Sequence, residues 1–77
     1  MNNPSQPIAA YRRDIGPVFV TVDTKQWLYG KLARRFNRVV LARLGDDDAW
    51  EACESGEMLE LAGSRVVSFR VPDYQPR

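Results

Sequence analysis

The sequence predicts a small, mainly β fold, and two observations carry that prediction. Residues 18–22, VFVTV, alternate strictly, so Val18, Val20 and Val22 share one face while Phe19 and Thr21 take the other. Such a period-two run of β-branched and aromatic residues is the mark of a half-buried strand. Residues 65–71, RVVSFRV, repeat that composition and stop at Pro72.

The 77 residues make one domain. A chain of this size buries roughly 60–65% of the surface its unfolded form exposes, which leaves little margin for stability. Disulfides or metals often make up the shortfall in small domains. Cys53 is the single cysteine and there is no histidine, so an intrachain disulfide is excluded and a zinc site lacks ligands. Association with other copies is the expected remaining source of stability. No apolar run reaches membrane-spanning length, and the N-terminus lacks the pattern of a signal peptide, so the expectation is a cytoplasmic protein.

Taken in order, residues 1–6 are expected to be a flexible arm, and residues 73–77 a flexible tail. Residues 8–15 fit two turns of helix, with Ile8, Tyr11 and Ile15 on one face, Ser5 as cap and Pro7 in the first turn. Gly16-Pro17 ends it. After the strand at 18–22 the pattern is ambiguous. Leu28, Leu32, Phe36, Val40 and Leu44 recur every four residues, as in an amphipathic helix over 24–44. Gly30 and the β-branched pair Val39-Val40 argue against a helix. The same residues fit two strands, the first with Leu28, Gly30 and Leu32 inward and Trp27, Tyr29 and Lys31 outward, then a turn at Asn37 and a second strand over 38–44. On pattern alone the two readings are equal. Residues 45–48 read as a turn, or as the cap of a short helical turn over 49–53, residues 58–61 as a short strand, and 62–64 as a tight connection into the last strand.

Net charge is only +1, but its distribution is uneven. Arg12, Arg13, Lys25, Lys31, Arg34, Arg35, Arg38 and Arg43 crowd the first half, whereas residues 44–64 carry Asp46, Asp47, Asp48, Glu51, Glu54, Glu57 and Glu60 with no base. Such a chain can offer a basic face to phosphates or bind its own copies. It can equally be an ordinary mixed surface once folded.

Three segments resemble the Sm-like family, and within it the Hfq-type RNA chaperones. They are Arg12-Arg13-Asp14 running into Pro17-Val18, the series Leu28-x-Gly30-x-Leu32 with Phe36-Asn37 and Val39-Val40-Leu41, and Ala62-Gly63-Ser64-Arg65-Val66-Val67. The resemblance spans most of residues 6–72 and resolves 27–44 as strands. It implies an open five-stranded β-barrel behind a short N-terminal α-helix, assembled into a homo-oligomeric ring, typically of six, with the strands at 58–61 and 65–71 joined between subunits.

It also implies binding of single-stranded RNA and a role in post-transcriptional regulation. Arg12 and Arg13 match the family's arginine rim. Trp27 and Tyr29, with Lys25 and Gln26 beside them, match its outer, purine-binding face. Lys31, Arg34, Arg35 and Arg38 add a second basic cluster. The family's uridine-binding pore triplet is replaced by Leu59-Glu60-Leu61, which directs the expectation to the rim and outer face. A weaker likeness, from Leu59-Glu60-Leu61 through Val66-Val67-Ser68-Phe69, is to the Rof family of terminator inhibitors. It implies instead a module that binds a protein such as a transcription terminator through the acidic 44–64 segment.

Without histidine, Ser-His and Cys-His catalysis are excluded. The Asp46-Asp47-Asp48 run would need ligands from elsewhere to hold a cation. The sequence is therefore read as that of a non-enzyme without metal or cofactor, and Cys53 as a small packed side chain.

Overall fold

A computed structural model describes residues 4–61 and 63–72; the expected tail at 73–77 lies outside them. Five strands form one antiparallel sheet: β1 (Gln6–Pro7), β2 (Val18–Leu28), β3 (Lys31–Leu44), β4 (Trp50–Ala52) and β5 (Ser64–Arg70), in the order β1-β5-β2-β3-β4. The fold is all-β, a curled half-barrel. No helix among the described residues is long and apolar enough to cross a membrane.

The alternation over 18–22 does what the period demands. Val18, Val20 and Val22 have no exposed surface and meet Ala42, Trp50, Ala52, Leu59, Val66 and Phe69 in the core. Curling follows from the need to close that core. In a flat sheet β4 and β5, three strand spacings apart, would stand on the order of 14 Å from one another. Instead Tyr11 lies between them, its ring centroid 4.7 Å from Trp50 and 5.3 Å from Phe69, both edge-on. Its hydroxyl donates to the Gly16 carbonyl.

The N-terminal segment is therefore not the helix expected over 8–15. It consists of two 3-10 turns, Ile8–Ala10 and Arg13–Ile15, separated by extended backbone at Tyr11 and Arg12. A two-turn helix is too short to hold itself, and the gain from seating Tyr11 in the mouth of the sheet decides its path. Ser5 makes no cap. Gln6, expected in the loose arm, pairs with Phe69 in β1.

Gly30, expected inside a strand, lies instead at the tip of a hairpin. Tyr29 (φ 51°) and Gly30 (φ 75°) both take positive φ between β2 and β3, the turn that matches the twist of a two-residue hairpin. Asn37 makes no turn. It pairs with Asp23 in the middle of a continuous ladder from Val18↔Ala42 to Leu28↔Lys31, broken by one irregularity beside Gln26. Residues 49–53, expected as a helical turn, contain β4, because Trp50 is drawn into the core beneath Tyr11. Residues 58–61 are not a strand; only Met58 forms a bridge, to Glu51, while Leu59 is buried. The last strand appears as expected, one residue earlier at each end.

β2 and β3 outrun their neighbours. Pairing of β2 with β5 ends at Thr24↔Ser64, and pairing of β3 with β4 covers only residues 42–44. Lys25 N–H still reaches the Gly63 carbonyl at 3.0 Å. A Cβ on Gly63, whose φ is +90°, would stand 2.6 Å from the Lys25 carbonyl oxygen, so only glycine fits at this root. Beyond it, residues 25–28 and their partners project as a bare two-stranded arm, which explains an overall extent of 52 × 28 × 23 Å.

Candidate functional site

The arm gathers seven of the sequence-predicted residues, Lys25, Gln26, Trp27, Tyr29, Lys31, Arg34 and Arg35, while Arg38 lies below its root, opposite the buried Val22. Between residues 24 and 38 there is no acid. Directly paired residues point to the same side of a sheet. One side of the arm therefore carries Lys25 with Arg35 and Trp27 with Leu32, and the other carries Gln26 with Arg34 and Leu28 with Lys31. Trp27 and Leu32 thus share a face, contrary to the inward leucines and outward aromatics expected from the sequence. The irregularity beside Gln26, where Ala33 is the extra residue, turns the strand between these pairs. A shallow depression lined by Lys25, Gln26, Trp27, Leu28 and Ala33 lies at this point.

The cations fall into two sets. Arg35 forms a two-pronged pair with Asp23, at 3.1 Å and 3.0 Å, and Arg38 reaches Glu57 at 3.1 Å. Hydrogen bonding from Arg35 holds the Asp23 carboxyl below the usual carboxylate range, helped by the charges of Arg35, Lys25 and Arg65 and opposed by desolvation. Lys25, Lys31 and Arg34 have no carboxylate within ion-pair distance among the described residues. Arg34 lies over the Phe36 ring, 4.7 Å from its centroid. The three unpaired cations flank the tip.

The aromatics there are not packed. Trp27 is 59% exposed and Tyr29 93%. A non-glycine residue at positive φ carries a steric cost of roughly 1–2 kcal/mol, and these turn positions favour Asn, Asp or Gly. Tyr29 sits there without burying its ring. Nothing in the fold compensates for an aromatic at this position.

Arg12 and Arg13 are elsewhere. Arg13 donates to the Leu44 carbonyl and pairs with Asp48, and Arg12 pairs with Asp14. Leu44 and Lys31 are opposite ends of β3, about 43 Å apart at the rise of an extended strand. The expected rim and the expected outer face are therefore two separate places.

The acidic segment is largely spoken for. Asp48 pairs with Arg13, Glu51 with Arg43 and Glu57 with Arg38, and Glu60 accepts from the Val66 amide. Cys53 is half-buried and free.

What the sequence reading missed is the backbone. In an antiparallel ladder successive residues direct their N–H and C=O alternately to the two sides. Leu41 offers its carbonyl to Cys53 N–H, on the side away from β2. By alternation, Val39, Asn37 and Arg35 point the same way, past the end of β4, where no strand lies among the described residues. An unbroken ladder, not a turn at Asn37, is what creates this open edge.

Comparison with protein-family models, curated proteins and solved structures finds no match to this chain.

Proposed function

We propose that this protein binds single-stranded RNA, and that the β2–β3 arm is the binding element. The observation that carries the reading is the exposed Trp27–Tyr29 pair on a projecting ribbon, flanked by Lys25, Lys31 and Arg34 without carboxylate partners. Unpaired bases stack on such rings while cations follow the phosphates, and each stacked base contributes roughly 1–3 kcal/mol. Lys25, Lys31 and Arg34 take the phosphates; Trp27 and Tyr29 take bases; Gln26, opposite Arg34, is placed to hydrogen-bond a base edge. The Sm-like resemblance suggests the same ligand class and a post-transcriptional role. The arginine rim of that family has no part here, since Arg13 is held by Asp48 at the far end of β3.

Protein binding through the acidic segment is the weaker reading, because Asp48, Glu51 and Glu57 already face arginines of the same chain. The ring expected from the family is not needed for binding by the arm, and residues 58–61, on which its closure rested, are not a strand.

Trp50 is 5% exposed, so fluorescence quenching by a ligand reports on Trp27. Titration with an unstructured A-rich oligoribonucleotide should quench Trp27. Trp27→Ala should weaken binding, followed by anisotropy of a labelled oligonucleotide, roughly tenfold or more, as loss of one stacked base implies. Arg12→Glu with Arg13→Glu should leave affinity within twofold of wild type, a tolerance of about 0.4 kcal/mol. No quenching, or loss of binding in the rim variant alone, would refute the arm as the site.

A further inference from the structure

Outside the bare arm, the sheet edges are closed almost everywhere. On β5, Glu60 takes the outward Val66 amide and β1 pairs with Ser68 and Phe69. β1 itself is two residues long and ends in Pro7, which has no N–H to offer. On β4, Ala52 N–H bonds to the Glu57 carbonyl and Leu59 N–H to the Trp50 carbonyl, so residues 57–59 cover it. Against this, Arg35, Asn37 and Val39 of β3 direct both backbone groups outward with no partner among the described residues. Edges left open in this way are templates for another strand.

We infer that the β3 edge at residues 35–39 is a docking site for an extended, acidic segment of a partner protein, added to the sheet as a sixth strand. Three features identify this occupant. The edge presents N–H donors and C=O acceptors in alternation, and only another peptide backbone complements both; a phosphodiester chain offers acceptors alone. Arg34, Arg35 and Arg38 stand along the edge on both faces; Arg35 and Arg38, though paired with Asp23 and Glu57, keep 61% and 40% of their side chains exposed, so acidic side chains on either face of the added strand meet a guanidinium. A depression lined by Val39, Val40, Leu41, Ala52 and Cys53, together with Glu54, Ser55 and Glu57, lies where the edge meets β4, and its apolar part receives an apolar residue at the end of the added strand. A second copy of this chain does not fit. Its own free edge carries the same three arginines within five residues, so antiparallel self-pairing there would gather six arginines into one short stretch. The site shares only Arg34 with the RNA-binding tip, and the inference does not rest on that reading.

The test uses the full chain, labelled for amide NMR. The probe is a capped nine-residue peptide alternating glutamate with threonine and ending in leucine. Addition should slow exchange of the Arg35, Asn37 and Val39 amides at least tenfold. Methylating every second peptide nitrogen along one edge, or replacing its glutamates by lysine, should weaken binding at least tenfold. Asn37→Pro removes one outward N–H that the fold does not use, a substitution an edge position tolerates, and should abolish the peptide effect while Trp27 still responds to oligonucleotide. Unchanged exchange at the three amides under saturating peptide overturns the proposal. So does equal binding of the lysine peptide, or protection of these amides in the free protein at a mass of two chains, which would place a second copy there. The N-methylated peptide leaves the protein untouched, so the test survives a proline variant that fails to fold.

Discussion

Salt dependence separates binding by the tip from non-specific attraction to the whole basic half of the chain. Binding to a single strand weakens with salt at a slope of about −0.7 for each phosphate neutralised. Lys25, Lys31 and Arg34 are free to neutralise phosphates, whereas Asp23 and Glu57 already occupy Arg35 and Arg38. Three effective contacts predict a slope near −2, so that raising salt from 50 to 200 mM should cost roughly 20-fold in affinity. Replacing Lys31 and Arg34 by glutamine leaves one contact, for a slope of about −0.7 and a loss of roughly threefold over the same range. Both side chains lie on the exposed arm, where substitutions ordinarily change stability by no more than about 0.5 kcal/mol. The assay is the quenching of Trp27 by an A-rich oligoribonucleotide at four or more salt concentrations, with a urea melt of each variant as control. A wild-type slope near −3.5 would mean that Arg35 and Arg38 act as well and that the division into paired and free sets is wrong. An unchanged slope in the double variant would place the phosphates elsewhere on the molecule.

Two further predictions concern the frame that carries the arm. Tyr11→Phe keeps both edge-on ring contacts and removes only the hydrogen bond to Gly16, so it should cost about 1 kcal/mol in urea unfolding, or roughly 4–8 °C in melting temperature. Tyr11→Ala also empties the mouth of the half-barrel and should cost about 3–5 kcal/mol; equal effects of the two would deny Tyr11 its closing role. Because Arg35 holds the Asp23 carboxyl below its ordinary value, the pair's stabilisation should be complete above about pH 4, the usual aspartate range, and be lost as pH falls through the depressed value. Asp23→Asn should therefore be less stable than wild type at pH 7, and the difference in urea midpoint should vanish in strong acid. A difference that persists there would mean the pair does not titrate as described.

The strands that could be read from the sequence are those with one face in the core. Val18, Val20 and Val22 alternate because the sheet buries every second residue; β5 is legible from its β-branched and aromatic composition, since its buried Val66 and Phe69 stand three apart across the register shift against β2. The arm was legible as a concentration of Lys, Arg and aromatic residues, but neither in its length nor in its turn, which was expected at Asn37 and lies at Tyr29-Gly30. Its residues have no neighbouring layer, so no buried face imposes a period. The fours spacing of Leu28, Leu32 and Phe36 has no structural meaning, since Leu28 and Leu32 both end exposed.

Local composition thus determined the strands at 18–22 and 65–71, and with them a mainly β fold, and the identity of the aromatic and cationic side chains that the arm carries. Tertiary structure decided what no local window contains: which charges meet and which strands stop short. The basic first half and the acidic second half interleave through Arg13–Asp48, Arg38–Glu57 and Arg43–Glu51, pairs set by strand register and by how the N-terminal turns pack. The rim arginines are parted from the arm by the length of β3, and an edge is left open because β4 covers only its last three residues. These are consequences of how the sheet curls around Tyr11, and that curl depends on contacts between residues far apart in the chain.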